Sequence, residues 1–570
     1  LTIDDLKAFR QWGSVTAGHP EFGEAPGIET TTGPLGQGIA TAVGMALAER
    51  WLRASYGSDL CDHFTWVFAG DGCLMEGVAA EAASFAGHQG LDRLVVMWDD
   101  NRITIDGTTD LTFTEDVPAR FVACGWRCLD VDGHDVDALQ AAMATARQTD
   151  GRPTLIRCRT SIARHAPTLE GSNKSHGAPL GDAEIAATKA AIGLDPDAFF
   201  QVAPEVYDWF RREDGARAAR TDAWKARVAA HPRGQEFLDQ LAGKAGEVAW
   251  PTFAPGKSIA TRKASQTVLN AVAAVTPSLI GGSADLAGSN GSTMKGEAHG
   301  DRQTPTGRNL HFGIREHAMG AICNGLALHG GARPYGATFL VFHDYMRPAV
   351  RLAALMKQPV IYIYTHDSVF LGEDGPTHQP VEHLMAMRTM PNLWVVRPAD
   401  ATETAEAWKM AMARMDGPTA LCLTRQGLTV LDRAVYGAAE GVQQGAYVLS
   451  DAADPQVVLI GTGSEVSTAL EAQAALATQN IASRVVSMPC WEAFQAQPAA
   501  VRDAVLLPGV PRVSVEAGVT FGWQAMVGLD GAMVGIDRFG ASAPGSVVAQ
   551  KLGIHADNVV AAALRLVDAS

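Results

Sequence analysis

Residues 69–77 read A-G-D-G-C-L-M-E-G, and residues 99–105 read D-D-N-R-I-T-I. The first segment follows an apolar run at 64–68, F-T-W-V-F, whose composition predicts a short buried strand. Ala dominates residues 78–88, with one Glu, which favours a helix, and L-V-V-M-W at 94–98 predicts a second strand. A crossover of this length allows the two strands to run parallel. The pattern therefore predicts a strand–helix–strand unit of an α/β fold.

Two polar side chains follow these two strands. Asp71 comes after the first strand and Asn101 after the second, so both are expected at the edge where open α/β sheets bind ligands. With the backbone carbonyl of Ile103 they offer three oxygen ligands, which suit Mg²⁺, or Ca²⁺ or Mn²⁺ in its place. Gly72 lets the backbone approach a phosphate closely. Alternatively, Gly-Asp-Gly is only a turn and Asn101 only a cap, but the paired motif resembles the metal-diphosphate motif of thiamine-diphosphate enzymes.

The bulk composition excludes several classes of protein. The 570 residues predict three to four domains, and 47% apolar residues support large buried cores. A net charge of −16 argues against a nucleic-acid or anionic-membrane partner, and no apolar run is long enough to predict a membrane span. The eight cysteines contain no C-x-x-C pair, so we expect neither a zinc nor a redox motif, and a reducing cytoplasm is the simplest location.

The order of segments predicts three α/β regions. G-P-L-G-Q-G at 33–38 precedes a helix-like segment and forms either a cofactor-binding turn or an ordinary one. Charged, amphipathic residues at 182–245 predict a solvated helical layer. The Pro-bounded segment 249–256 is the clearest candidate linker, and the Gly-rich segment 426–446 is a second boundary. The region between these two boundaries carries four further motifs: G-S-A-D-L-A-G-S-N at 282–290, G-I-R-E-H-A-M-G at 313–320, T-F-L-V-F-H-D-Y at 338–345 and T-H-D-S-V-F-L-G-E-D-G-P-T-H-Q-P at 365–380.

Taken in this order, the motifs resemble transketolase along nearly the whole chain. The resemblance implies three consecutive α/β domains: a diphosphate-binding domain at 1–250, a pyrimidine-binding domain at 251–430, both built on parallel sheets, and a mixed or parallel C-terminal domain at 440–570. It also implies a homodimer whose active sites lie at the subunit interface. The implied activity is reversible transfer of a two-carbon ketol unit, through the ylid of thiamine diphosphate, from a ketose phosphate such as xylulose 5-phosphate to an aldose phosphate such as ribose 5-phosphate.

The resemblance assigns the cofactor contacts. Glu316 would bond to the pyrimidine ring and favour the imino tautomer that forms the ylid; otherwise it is a helix-start Glu paired with Arg315 or His317. An F-x-x-F-x-x-Y stripe more often belongs to a core, yet here it matches the pocket around the pyrimidine. Glu76 is a candidate for a carboxylate network near Glu316. The remaining implied contacts are Asp71, Asn101 and Ile103 to the metal, and Gly33, Pro34, Leu35, Gly72, Asn101, His176, Phe339, Phe342 and Tyr345 to the cofactor.

The same resemblance assigns the substrate contacts. Two arginines suit a sugar phosphate because guanidinium groups bind phosphate in a bidentate way. Histidines near the carbonyl and hydroxyl groups suit proton transfer at neutral pH, although any one of them alone is as often structural. The implied phosphate contacts are Arg262, Arg425, Ser289 and His366; Asp374 reads a sugar hydroxyl; and the proton carriers are His19, His176 and His378.

Three other functions stay open at this stage. A dihydroxyacetone synthase would share every motif and differ in using formaldehyde. A deoxyxylulose-phosphate synthase fits less well around the third domain. A non-catalytic, transketolase-like binding protein is opposed by the presence of Glu316, Asp71, Asn101 and both phosphate arginines. The sequence does not decide between the Calvin cycle and the pentose phosphate pathway.

The beginning of the chain predicts an incomplete first domain. L-T-I-D-D-L at residues 1–6 carries no initiator Met and enters the family's first domain past its opening helices. The family's front segment carries a further Gly-His-Pro, whereas the only one here stands at 18–20. We therefore expect a preceding segment, which would cover one side of the first sheet.

Overall fold

The computed structural model describes residues 1–568, which form two compact units. The first unit contains residues 1–243, 300–307 and 324–332, and the second contains residues 244–299, 308–323 and 333–568. Among the described residues, no helix has both the length and the apolar character needed to cross a membrane.

A four-stranded sheet forms the centre of the first unit. Its strands are β1 (Thr65–Gly70), β2 (Leu94–Asp100), β3 (Arg127–Asp132) and β4 (Thr154–Arg159), in the order β1-β2-β4-β3. All three pairings are parallel, which confirms the predicted strand–helix–strand unit. The expectation that the run at 64–68 is buried is wrong at Phe68, which is 81% exposed. The reason is that β1 is an edge strand of this sheet.

Helices pack against this sheet and extend beyond it. The helix predicted at 78–88 is found as α4 (Gly77–Gln89), and its alanines pack into the core because they let helix and sheet approach closely. The predicted helical layer at 182–245 is found as four helices with few buried residues. The helices of this unit are α1 (Ile3–Lys7), α2 (Gln37–Tyr56), α3 (Asp71–Met75), α4 (Gly77–Gln89), α5 (Val117–Ala123), α6 (Val136–Ala146), α7 (Asp182–Ala191), α8 (Pro204–Arg211), α9 (Asp214–Ala230) and α10 (Gly234–Leu241), with 3₁₀ turns at Thr109–Leu111 and Asn173–Ser175.

The second unit contains a seven-stranded sheet and a short ribbon. The central strands of the sheet are wholly buried and pair in parallel, as expected when helices cover both faces. The ribbon pairs β5 (Ser258–Ala260) with β13 (Gly427–Thr429) in antiparallel register. The sheet strands are β6 (Leu279–Ser283), β7 (His299–Gly300), β8 (Asn309–His311), β9 (Arg333–Phe339), β10 (Ile361–Thr365), β11 (Trp394–Val396) and β12 (Thr419–Leu423), in the order β11-β12-β10-β9-β6-β8-β7.

A five-stranded mixed sheet completes the second unit. Its strands are β14 (Tyr447–Ser450), β15 (Val457–Gly461), β16 (Ser483–Ser487), β17 (Arg512–Val515) and β18 (Ala532–Val534), in the order β14-β16-β15-β17-β18. Only the β14–β16 pair is antiparallel among the pairings of these described strands. The predicted α/β class, with two parallel sheets and one mixed or parallel sheet, is therefore confirmed.

Helices follow most of these strands, as connections between parallel strands usually require. Asp400 caps one of them by accepting a bond from the backbone of Glu403. The predicted domain boundaries near 250 and 430–440 stay predictions. The helices are α11 (Thr261–Ala273), α12 (Ala287–Asn290), α13 (Glu316–His329), α14 (His343–Leu355), α15 (His383–Arg388), α16 (Ala401–Ala413), α17 (Glu465–Ala477), α18 (Trp491–Gln495), α19 (Ala499–Leu506), α20 (Gln524–Val527), α21 (Gly545–Lys551) and α22 (Ala556–Val567), with 3₁₀ turns at Leu340–Phe342, Val369–Leu371 and Ala439–Gln444.

Candidate functional site

Asp71 is a buried carboxylate at the end of β1 and the start of α3. Trp98 Nε1 donates to Asp71 Oδ1 at 3.0 Å, and the backbone N–H of Arg102 donates to Oδ2 at 2.9 Å. Burial raises the pKa of Asp71 to about 6, against the opposing effect of the Trp98 hydrogen bond. A carboxylate held in this way gains from a divalent cation, because the cation offsets the cost of burying negative charge.

Asn101 and Ile103 follow β2 in a tight hairpin beside Asp71. Asn101 Nδ2 donates to Asp99 Oδ2 at 3.0 Å, and Asn101 Oδ1 accepts from the Ile103 backbone at 3.0 Å, which leaves that oxygen a second lone pair. The hairpin bonds run between residues 102 and 109 and between 104 and 107, so the carbonyl of Ile103 lies outside them. The available donors are thus a carboxylate, an amide oxygen and a backbone carbonyl, a set that fits a hard cation.

A Gly-rich turn before α2 approaches the Asp71 segment in the first unit. A Cβ added at Gly72 would lie 2.9 Å from Leu35 Cδ1, so the two segments approach closely here. Gly33 has a φ of 141°, and a Cβ there would lie 3.1 Å from the ring of His19. Pro34 O accepts a 3.4 Å bond from the backbone of Gln37 at the start of α2. The predicted contacts of this turn therefore lie close to one another.

His176 is exposed and follows the 3₁₀ turn Asn173–Ser175. Asn173 Nδ2 donates to the backbone carbonyl of Ile105 at 3.0 Å, which ties this turn to the hairpin that carries Ile103. Glu76 is exposed at the start of α4, so within its own unit it belongs to no buried carboxylate network.

Glu316 is buried at the first residue of α13 in the second unit. Burial raises the pKa of Glu316, while its own backbone N–H stabilises the carboxylate. A carboxyl group with a raised pKa holds a proton more readily, which suits hydrogen bonding to a ring nitrogen.

Three aromatic side chains and two histidines form an aromatic cluster, defined as Phe339, Phe342, Tyr345, His366 and His378. The rings of Phe339 and Phe342 are nearly parallel with centroids 6.0 Å apart, and those of Phe342 and Tyr345 are also 6.0 Å apart. His366 packs on Phe339 with a centroid distance of 3.7 Å, and His378 meets the edge of Phe342 at 5.5 Å. Tyr345 is 65% exposed, so one side of the cluster is open to a planar ligand.

A cationic group lies next to the aromatic cluster. Arg262 Nη1 donates to the backbone carbonyl of Ser289 at 2.6 Å. Burial and the charge of Arg425 lower the pKa of Arg262. Burial, with further contributions from Arg262, Arg425 and His378, lowers the pKa of His366 to about 3. His366 is therefore neutral at pH 7, and the two arginines supply the positive charge that a phosphate requires.

The loop after β10, residues 366–379, carries three of the predicted substrate contacts. His366 begins it, Asp374 is exposed near its middle, and His378 stands near its end. Thr377 Oγ1 lies 2.9 Å from His378 Nδ1, and Thr365 Oγ1 lies 2.9 Å from His366 Nδ1, so each hydroxyl orients an imidazole.

Sequence reasoning missed two residues of β2 that determine the environment of Asp71. Trp98 is its direct partner, and Asp100 is a second buried carboxylate, paired with Arg157 Nε at 2.5 Å. The signal was available, because Trp98 and Asp100 stand next to the quoted D-D-N motif and side chains alternate along a strand.

Comparison with known proteins agrees with this geometry along the whole chain. Residues 1–245 match the thiamine diphosphate binding domain of transketolase, residues 257–430 its pyrimidine binding domain, and residues 445–555 a transketolase-like C-terminal domain. The transketolase of Geobacillus stearothermophilus is 50% identical over 98% of this chain and 86% of its own length. That of Cereibacter sphaeroides is 49% identical over 99% of this chain and 86% of its own length.

Solved structures give the same result. The transketolase of Leishmania mexicana superposes with a TM-score of 0.96 at 46% identity, covering all of this chain and 86% of its own. A Pichia stipitis transketolase in complex with sedoheptulose 7-phosphate has a TM-score of 0.96 at 41% identity, with the same coverage. The predicted transketolase activity and thiamine diphosphate cofactor are thereby confirmed, and the alternative functions are not favoured. The chain belongs to the transketolase family of thiamine-diphosphate-dependent transferases.

Proposed function

We propose that the protein transfers a two-carbon ketol unit from a ketose phosphate such as xylulose 5-phosphate to an aldose phosphate such as ribose 5-phosphate. The bond between C2 and C3 of the donor breaks and a new bond forms to the aldehyde carbon of the acceptor, so no oxidant is needed. The observation that carries this proposal is the pair Arg262 and Arg425 beside His366, which itself packs on Phe339. Solved relatives from Pichia stipitis contain xylulose 5-phosphate and sedoheptulose 7-phosphate, which are substrates of this class.

Asp71, Asn101 and Ile103 would hold the metal, for which we propose Mg²⁺, with Ca²⁺ or Mn²⁺ able to replace it. The support is the all-oxygen donor set and the buried carboxylate of Asp71. The backbone at Gly33 and Gly72 allows close approach of the diphosphate, and Pro34 and Leu35 complete that turn. His19 is proposed to contact the substrate because its ring packs on Gly33.

Glu316 is proposed to share a proton with a ring nitrogen of the pyrimidine. Thiamine diphosphate, when bound, supplies the carbanion chemistry of the transfer. The contribution of the chain is to keep Glu316 buried with a raised pKa and to offer Phe339, Phe342 and Tyr345 as the aromatic surface. This aromatic surface would exclude water, which would otherwise weaken the hydrogen bond between Glu316 and the ring nitrogen.

The substrate would bind with its phosphate at Arg262 and Arg425, next to Ser289 and His366. Because His366 is neutral, its proposed role is a hydrogen bond to the phosphate rather than a third full charge beside the two arginines. Asp374 would accept from a sugar hydroxyl, and His176 and His378 would move protons at the carbonyl and adjacent hydroxyl groups, since an imidazole can both donate and accept a proton.

We further propose a homodimer in which one subunit supplies the metal-binding half of a site and its partner the pyrimidine-binding half. Large apolar side chains are exposed beside predicted site residues: Ile105 and Leu35 in the first unit, and Ile314 and Tyr345 in the second. Exposed apolar side chains next to functional residues are typical of interaction surfaces. We also propose a cytoplasmic location, which the eight free cysteines support.

The testing experiment is a coupled assay with xylulose 5-phosphate and ribose 5-phosphate, in Mg²⁺, with and without thiamine diphosphate. We expect release of a three-carbon aldose phosphate that requires both the cofactor and the acceptor. The control replaces ribose 5-phosphate with formaldehyde as the acceptor. A protein that uses formaldehyde efficiently and ribose 5-phosphate poorly would instead be a dihydroxyacetone synthase. Cofactor binding without any turnover would favour a binding protein.

A further inference from the structure

The 366–379 loop begins with a backbone conformation that its first residue does not favour. His366 has a φ of 59°, in the left-handed region that non-glycine residues rarely occupy. Gly372 and Gly375 also have positive φ, of 89° and 79°, which glycine adopts without strain. The strain at His366 persists only where neighbouring structure holds the chain in place. The contacts of this loop therefore show what fixes the predicted substrate residues His366, Asp374 and His378.

A buried ion network holds the beginning of the loop. Arg397 Nε donates to Asp367 Oδ2 at 2.8 Å, one residue after His366. Nη1 of the same arginine donates to the backbone carbonyl of Thr462 at 2.9 Å and also to Glu465. Arg397, Asp367 and Glu465 are all fully buried. A single guanidinium group therefore joins the loop to the turn between β15 and α17.

A second set of contacts holds the middle and end of the loop. Gln379 Nε2 donates to the carbonyl of Gly372 at 2.8 Å and to that of Ala541 at 3.0 Å. A Cβ added at Gly375 would lie 2.1 Å from Ser542 Oγ, and one added at Gly545 would lie 2.3 Å from the carbonyl oxygen of Phe370. Because the contact of Gly545 is with backbone, residues 540–545 pack against the loop with no room for a methyl group at that position.

We propose that the C-terminal region, residues 445–568, sets the affinity for the phosphorylated donor by fixing the 366–379 loop through Arg397–Glu465 and through residues 540–545. These are positioning residues, since none of them is placed against substrate or cofactor. The inference rests on the proposed function, because it assigns the loop to donor binding. It gives the C-terminal region a role in substrate recognition although it carries none of the predicted site residues.

The test is Gly545→Ala, with Val547→Ala as the matched control on the same helix, where the side chain is 45% exposed. KM and kcat are measured with xylulose 5-phosphate and with the small, unphosphorylated donor hydroxypyruvate, together with thiamine diphosphate affinity. We expect Gly545→Ala to raise KM for xylulose 5-phosphate about ten- to a hundredfold and to change KM for hydroxypyruvate far less, because a displacement of about 1 Å can have effects of that size. Cofactor affinity and the Val547→Ala control should stay at wild-type values.

A rescue experiment covers the case in which Gly545→Ala fails to fold. Gly375→Ala introduces the same backbone strain whether or not Ser542 is present, so comparison with Gly375→Ala/Ser542→Ala isolates the contact between loop and C-terminal region. We expect the single variant to raise KM for xylulose 5-phosphate and the double variant to bring it most of the way back to the wild-type value. An equal fall in kcat for both donors with unchanged KM, or no recovery in the double variant, would overturn the inference. A wild-type protein without ketol transfer would instead contradict the proposed function.

Discussion

The two halves of the proposed site, described separately in each unit, use different chemistry. In the first unit the donors are oxygen atoms and closely approached backbone: Asp71, Asn101, the carbonyl of Ile103, and glycines at 33 and 72. In the second unit the site consists of aromatic rings and cations, drawn from segments between residues 262 and 425. The first half suits a metal diphosphate and the second suits a planar ring and a sugar phosphate.

This difference means that the two halves are expected to fail in different ways. The first half depends on a few atoms with fixed positions, so loss of one ligand should abolish cofactor binding. The second half spreads recognition over several side chains, so single losses there should separate binding of the substrate from the chemical step.

The largest effect is expected for Asp71→Ala. Removing the buried carboxylate takes away one of three oxygen ligands and should abolish binding of thiamine diphosphate in Mg²⁺, and with it all ketol transfer. Titration of the cofactor by calorimetry measures this, with the exposed Asp110→Ala as control. Unchanged cofactor affinity in Asp71→Ala would show that the first half has been wrongly assigned.

Glu316→Gln should have the next largest effect, on chemistry more than on the fold. The amide cannot share a proton as the carboxyl group does, so turnover should fall by about 10²- to 10⁴-fold, with weaker cofactor binding. Exchange of the C2 hydrogen of bound thiamine for deuterium measures the activation directly. Glu440→Gln, at an exposed position, is the control. If exchange remains as fast as in the wild type, Glu316 has no catalytic role.

Arg262→Ala and Arg425→Ala should act on the phosphate end alone. Loss of one charge-assisted contact costs about 1.5–3 kcal/mol, which corresponds to a rise in KM for xylulose 5-phosphate of about ten- to 150-fold. Steady-state kinetics with hydroxypyruvate should show little change. Lys263→Ala removes an exposed cation next to Arg262 and should leave both donors unaffected. Equal damage to both donors would assign the arginines a structural role.

The smallest effect is a pH dependence that involves His366. Its pKa is lowered from 6.5 to about 3 in the folded protein, so between these pH values the unfolded chain binds a proton that the folded one does not. Stability therefore falls as the pH is lowered through this window, by about 1.4 kcal/mol per pH unit. Thermal midpoints at pH 6 and pH 5 should differ more in the wild type than in His366→Gln.

Inorganic phosphate should reduce the difference between the thermal midpoints at pH 6 and pH 5 in the wild type. A bound anion offsets the charges of Arg262 and Arg425 and allows the pKa of His366 to rise. Chloride at equal ionic strength is the control. The same pH dependence in His366→Gln as in the wild type would place the proton on another group.

Local sequence was sufficient to predict that Asp71 and Asn101 lie together at one edge of the sheet. Asp71 and Asn101 could be placed together because each directly follows a strand and the strands are parallel. Burial in the strand before Asp71 was harder to predict. Phe68 belongs to a run predicted to be buried, yet it is exposed because its strand lies at the edge of the sheet. The position of a strand in a sheet depends on strand order rather than on composition.

The second half could be placed only through the family resemblance. Arg262 and Ser289 stand 27 positions apart and meet through a backbone contact that no periodicity reveals. The Arg397 network joins residues 30 and 68 positions away, and a buried arginine in an α/β protein has no local signature. Such contacts follow from tertiary packing, which single-sequence patterns do not contain.

The hydrogen bond from Trp98 to Asp71 should make cation binding at the proposed metal site detectable by tryptophan fluorescence. Indole emission responds to charge near the ring, and Trp98 Nε1 is 3.0 Å from the carboxylate that we propose as a metal ligand. Binding of a cation should therefore change the emission of this tryptophan. With 12 tryptophans in the chain, the difference spectrum between the wild type and Trp98→Phe isolates its signal. The protein thus contains its own optical reporter of cation occupancy, which needs no added label and no substrate.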